Sequence, residues 1–215
     1  MSSRTDVGVS EWALVVAAPW VLAVLEVFHP HLHDPLQLDV RTWLVVHYSQ
    51  IALFPLAAFS VVALIRGSTG IAPALCRVAM FVFAVSYIAF DTAAGVVTGI
   101  LVDAARQSGH PENWREAIDA VWNHRIVGGV GVESAPLLAL AGAIALSVGT
   151  VTAAIALKLR GRPWAPVILL GLSGFGIGVF QTHAWPGGPV TFGLLGIAGA
   201  WLLLLSDRAQ STGAA

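Results

Sequence analysis

Six stretches of this chain, roughly 12–29, 43–65, 78–102, 135–157, 164–183 and 187–205, are apolar over close to the length a helix needs to cross a bilayer, which is about 20 residues. Hydrocarbon offers backbone amides no partner, so such runs must fold as helices with every amide paired within the segment. Composition agrees. The chain is 57% hydrophobic and 11% charged, with mean hydropathy +0.80, whereas a soluble domain carries about 25% charged residues. The expected fold is all-α: one membrane domain over 1–215, a bundle of six transmembrane helices with a short interfacial helix between the third and fourth.

The ends of the spans are marked by "RGSTG" (66–70), "KLRGRP" (158–163), the polar stretch 103–125 and "WPGGP" (185–189). Six crossings put both termini on one side. That side holds Arg4, Arg66, Arg77, Lys158, Arg160, Arg162 and Arg208, against Arg41, Arg106, Arg115 and Arg125 on the other. The excess predicts cytoplasmic termini in a multi-pass protein of the cell membrane. The opening "MSSRTDVGVSEW" lacks a small-residue cleavage site, so the first apolar run reads as a retained span. Net charge of -1 leaves no basic stripe for nucleic acid. A single cysteine, Cys76, excludes an intrachain disulfide and reads as an inert buried thiol.

Within 103–125, Trp114, Ile118, Val121 and Trp122 recur at helical spacing, with Arg115, Glu116 and Asp119 on the opposite face. That pattern predicts a short helix on the membrane surface, a connector or a lid over what lies beneath. Glycines of the last three spans, among them Gly142, Gly149, Gly171, Gly174 and Gly196, suit close helix packing. Pro19 and Pro55 lie inside the first two spans, where each frees a carbonyl.

The polar residues segregate. All seven histidines fall near the outer side: His29, His31 and His33 after the first span, His47 one turn into the second, His110 and His124 in the long loop, His183 at the end of the fifth. "EVFH" places Glu26 and His29 on one helix face. Asp91 lies in the third span about 16 Å below its outer end at the helical rise, with Tyr87 one turn away. An ionised carboxylate at that depth must meet protein, water or a partner. One outward-opening cavity, lined by Glu26, His29, His47, Gln50, Tyr87, Asp91, Glu133, Gln181 and His183, accounts for these residues together. The "HPHLHD" run itself, with Pro30 and Pro35, reads more simply as an extended connector than as a ligand set, His29 excepted.

Three functions suit such a cavity. A membrane-embedded enzyme would act on a lipidic or small apolar substrate. In its acid/base form Asp91 or Glu26 moves the proton, with His47 as partner and Tyr87 orienting. In its metal form His29, His47, His183 and Asp91 hold Zn²⁺ or another divalent ion with one position left for water. A proton-coupled transporter or non-catalytic binding or immunity protein would use the deep acid and the glycine-rich spans, with homo-oligomerisation supplying what six spans lack. A haem protein would use His47 and His183 as axial ligands. One Glu-x-x-His is half of a di-iron carboxylate set, and no second copy exists. HExxH, Walker and GxSxG motifs are absent, and no lysine at membrane depth could hold retinal.

His29–Pro30 ending the first span, "WLVVH" opening the second and an acid late in the third resemble a diffuse group of multi-span bacterial membrane proteins of unassigned activity. The resemblance covers the first half of the chain and implies no chemistry.

Overall fold

The computed structural model describes residues 12–30, 34–129 and 135–212, with side chains through Ser206. His31, His33, Glu133 and Ser134 lie outside the described residues. The described chain is helical, with no strand among those residues. The helices are α1 (Ala13–Val27), α2 (Val40–Leu64), α3 (Ile71–Gln107), α4 (Arg115–Trp122), α5 (Leu137–Leu159), α6 (Trp164–Ser173), α7 (Gly176–Phe180) and α8 (Gly187–Thr212).

Among the described residues, four helices are long and apolar enough to cross a membrane: α2, α3, α5, and α8 over Gly187–Ser206. The first and fifth predicted spans differ from expectation. α1 and α6 are apolar but shorter than a full crossing. The fifth run breaks after Ser173, turns through Gly174 and Phe175, resumes as α7, and ends at Gln181 in the left-handed conformation (φ 55°). A break in an apolar setting needs its freed backbone groups re-paired. Ser147 Oγ on α5 donates to Gly174 O at 2.8 Å, and Ile177 N donates to Thr191 Oγ1 on α8 at 3.0 Å. Gly174 is required at the turn, because a Cβ there would stand 2.2 Å from Thr150 Oγ1 and 2.9 Å from Leu146 O.

Neighbouring helices pack in the order α1, α2, α3, α5, α6, α8, and α8 returns against α1, closing a ring. The centre is aromatic: Phe54, Phe83, Tyr87 and Phe192 are each almost completely buried, and the Phe54 ring lies within 6 Å of the other three. Apolar side chains such as Phe59, Phe81, Val85, Ile144 and Val179 face outward. A belt of that kind belongs against lipid and not water.

A second apolar cluster closes one end of the ring. Ile118 and Trp122 of α4 pack with Leu38, Trp43, Val102 and Ala105. The short helix therefore rests its apolar face on the ends of α2 and α3. Arg106 Nη2 on α3 donates to the carbonyls of Leu36 (2.8 Å) and Leu38 (2.6 Å), and Arg115 bridges Asp34 at 3.3 Å. The connector 34–39 and α4 are thus fastened to the same end of the bundle.

Candidate functional site

α2 is started by Asp39. Its Oδ1 accepts from the amides of Arg41 (3.2 Å) and Thr42 (3.4 Å), and its Oδ2 accepts from the Thr42 hydroxyl at 2.6 Å. This is N-cap chemistry, and the Thr42 hydroxyl first, then the amides, holds the carboxyl below its ordinary range. The cap fixes the register of the first turn and so the positions of Trp43 and His47. Trp43 Nε1 donates to Gly95 O at 2.7 Å.

His47 lies flat against α3. Its Cδ2 would be 1.8 Å from a Cβ at Gly95, so only glycine leaves room for the ring. Gly95 lies in a π-helical segment, Asp91–Val97, within α3. Such wide turns interrupt the regular ladder and recur at functional sites. Asp91 opens the segment.

His29 follows the C-terminal end of α1, where Phe28 N donates to Leu25 O at 3.0 Å. His183 sits in the loop after α7, outside the helix. A Cβ at Gly187 would stand 1.9 Å from Thr182 O, and one at Gly188 would stand 1.8 Å from His183 O. The glycine pair of "WPGGP" lets this loop fold onto the start of α8 and turn His183 inward.

The three histidines converge. One ligand nitrogen from each of His29, His47 and His183 lies within 4.8 Å of the others. His29 and His183 approach Nε2 to Nε2 at 3.2 Å. The His29 ring is edge-to-face with those of His47 (4.9 Å) and His183 (4.8 Å). Two tautomers are fixed by the backbone. His47 Nδ1 meets Trp43 O at 2.8 Å, and His29 Nδ1 meets Pro30 O at 3.0 Å. A carbonyl only accepts, so in each case Nδ1 donates and the neutral ring carries its lone pair on Nε2.

Asp91 is fully buried, with Oδ1 4.0 Å from His183 Nε2. Neither of its oxygens has a hydrogen-bond partner among the described residues. Buried polar atoms are nearly always paired, so both are notable. One turn deeper lies a second polar layer. Glu26 is i−3 to His29 on α1 and Gln50 is i+3 to His47 on α2. Gln50 Nε2 donates to Glu26 Oε1 at 2.8 Å, while Glu26 Oε2 and Gln50 Oε1 lack partners among the described residues. Tyr87 is buried with its ring centroid 6.0 Å from that of His183.

The histidines line a cavity of about 130 Å³ together with Pro30, Trp43, Phe90, Ala94, Trp122, Gly129, Thr182 and Ala184. Glu26, Gln50, Tyr87 and Asp91 are not among its lining residues. Gln181, expected in the lining, is exposed instead, because the left-handed turn that ends α7 points it away. Trp43, Gly95, Trp122 and Gly129 were not expected at the site. The "WLVVH" spacing held a signal for Trp43, one turn from His47; the others depend on how distant segments meet. Comparison with known proteins finds no family model, curated protein or solved structure that matches this chain.

Proposed function

We propose that this chain is a six-span membrane protein in which His29, His47 and His183 hold one divalent metal ion and activate water on it. The observation that carries this reading is the convergence of three imidazoles, two with Nδ1 committed to a backbone carbonyl. That is the usual outer-shell arrangement of metal-bound histidine, fixing the ring and directing Nε2 at the ion. Nε2 of His29 and His183 are 3.2 Å apart, and the three ligand nitrogens lie within 4.8 Å of one another, so these residues would hold an ion once His47 draws in toward the other two. An all-imidazole set suits zinc, with water in the fourth position.

A divalent ion held there would supply Lewis acidity to a bound water, and Asp91, buried behind His183 with Oδ1 4.0 Å from its Nε2, would hold the proton through that imidazole. In this reading Asp91 is a base and not a fourth ligand. Glu26 and Gln50 would support the site from below and Tyr87 would pack it. The cavity volume selects for a small substrate, since sites for drug-sized ligands enclose about 300–1,000 Å³. A lipidic substrate would enter only with displacement of Trp122. The same volume, with imidazoles in edge-to-face contact, leaves no slot for a porphyrin plane between His47 and His183.

The six-span reading joins α6 and α7 into one broken crossing and counts α1 as a short one, with both termini cytoplasmic and the histidine end outward. A second reading, proton-coupled transport, is favoured by buried carboxylate oxygens that lack partners among the described residues, both of Asp91 and Oε2 of Glu26. Asp91→Asn decides between them. The enzyme reading expects wild-type metal content with loss of water activation, measured as hydrolysis of small activated esters in proteoliposomes. Unchanged hydrolysis in Asp91→Asn, or metal bound equally by a variant lacking His47, contradicts it.

A further inference from the structure

At the opposite end of the bundle, α5 and α6 enclose a groove of about 450 Å³ that opens outward. Its walls are Ile155 and Leu159 on α5 and Ile168 and Leu172 on α6, all well exposed, and its floor is Gly171 against Ala154. Missing side-chain bulk at Gly171 makes the depth: a Cβ there would find nothing nearer than Ala154 Cβ at 3.5 Å. From Trp164 to Phe175 the groove runs about 16 Å at the helical rise, along the bundle axis.

One end of this apolar trench is cationic. Lys158 lines it, with Nζ 4.3 Å above the Trp164 ring and 3.3 Å from Arg162 O. Arg162 is partly desolvated and lies beside Arg160; burial first, then that neighbour, pushes its guanidinium below the ordinary arginine range. Arg160 donates to Arg66 O (3.0 Å) and Ser68 Oγ (3.2 Å), and Arg77 donates to Ser68 O (2.9 Å). Among the described residues, no carboxylate lies within ion-pair distance of Lys158, Arg160 or Arg162. Positive charge is gathered at this end of the apolar trench, with no anion supplied by those residues.

We propose that this groove binds one anionic phospholipid, an acyl chain lying along Gly171 and the phosphate meeting Lys158 and Arg162. Basic pockets between helices at a membrane face recognise anionic headgroups. Trp164 at the same level suits the headgroup boundary. A second copy of the chain is the competing occupant, and charge argues against it. A two-fold partner parallel in the membrane would set these cations against their own counterparts, a like-charge contact that opposes association. The site is independent of the histidine centre.

Native mass spectrometry of the full chain in detergent, offered equal phosphatidylglycerol and phosphatidylcholine of matched acyl chains, tests the assignment. The expected result is one retained phosphatidylglycerol per chain, preferred by about tenfold or more for two cations at a membrane face. K158Q/R162Q should abolish the preference, and Gly171→Leu, which fills the floor, should release the lipid. Equal retention of both lipids overturns the proposal. So does a preference that survives K158Q/R162Q, suppression by inorganic phosphate alone, or a dimer whose interface covers Gly171. The double substitution leaves the apolar floor intact, so with thermal unfolding measured on the same sample it decides the matter even if Gly171→Leu fails to fold.

Discussion

At His47 a single carbonyl determines which nitrogen faces the cavity. Trp43 O takes the Nδ1 proton, so Nε2 is left with the lone pair that a metal or a proton would use. The ring reaches this position only because residue 95 lacks a Cβ. Gly95→Ala should therefore displace the imidazole and lower metal content well below wild type. The strain of overpacking costs about 1–3 kcal/mol, small enough for the fold to persist. Metal analysis and thermal unfolding of the same sample check both halves. Metal content equal to wild type in a folded Gly95→Ala protein would show that His47 is not a ligand. The candidate histidines and Asp91 were legible in the sequence because acids and imidazoles stand out within or at the ends of apolar runs. Gly95 was not. Its role depends on a π-helical turn of α3 meeting α2, and nothing local in "DTAAGVV" distinguishes such a turn from an ordinary one.

α4 is short and joined to the bundle by one apolar face and the Arg115–Asp34 ion pair. Ile118 and Trp122 are its anchors, and Trp122 also lines the histidine cavity. Trp122→Ala should speed metal release to an external chelator, because the cavity loses a large side chain from its wall. Truncating a buried tryptophan costs about 3–5 kcal/mol, so the unfolding temperature should fall as well; release at the wild-type rate would show that α4 does not cover the site. The Asp34–Arg115 pair gives this end a pH response. Hydrogen bonding from Arg115 is the chief cause that holds the Asp34 carboxyl below its usual value. The contribution is therefore complete above the ordinary aspartate pKa and lost as pH falls through the depressed one. Exchange of the α4 amides should rise in that acid range, and Asp34→Asn should show the raised exchange already at neutral pH. Exposed pairs contribute little, so the change should be local and leave the bundle melting point unmoved. The amphipathic pattern of 114–122 announced this helix; its docking on Trp43 and Leu38 could not be read, because a face suited to lipid is equally suited to protein.

For the whole molecule, the apolar runs and the glycine content were enough to read an all-helical bundle, since length and hydropathy alone govern which segments can cross. They did not reveal that the fifth run breaks at Gly174, where Ser147 and Thr191 from neighbouring helices take up the backbone groups the break releases. The proposed six crossings would put both ends of the chain on one side of the membrane. Reporters fused to each terminus in turn should give the same side, and opposite sides would mean that α1 or the α6–α7 pair does not cross. The end of α1, the start of α2 and the loop after α7, distant in sequence, bring three imidazoles within reach of one ion. X-ray absorption at the zinc edge of purified protein reports whether one binds there. The expected result is stoichiometric zinc with three imidazole nitrogens at about 2.0–2.1 Å and one further light ligand. Protein folded without bound metal at neutral pH, or zinc bound without imidazole, would contradict it.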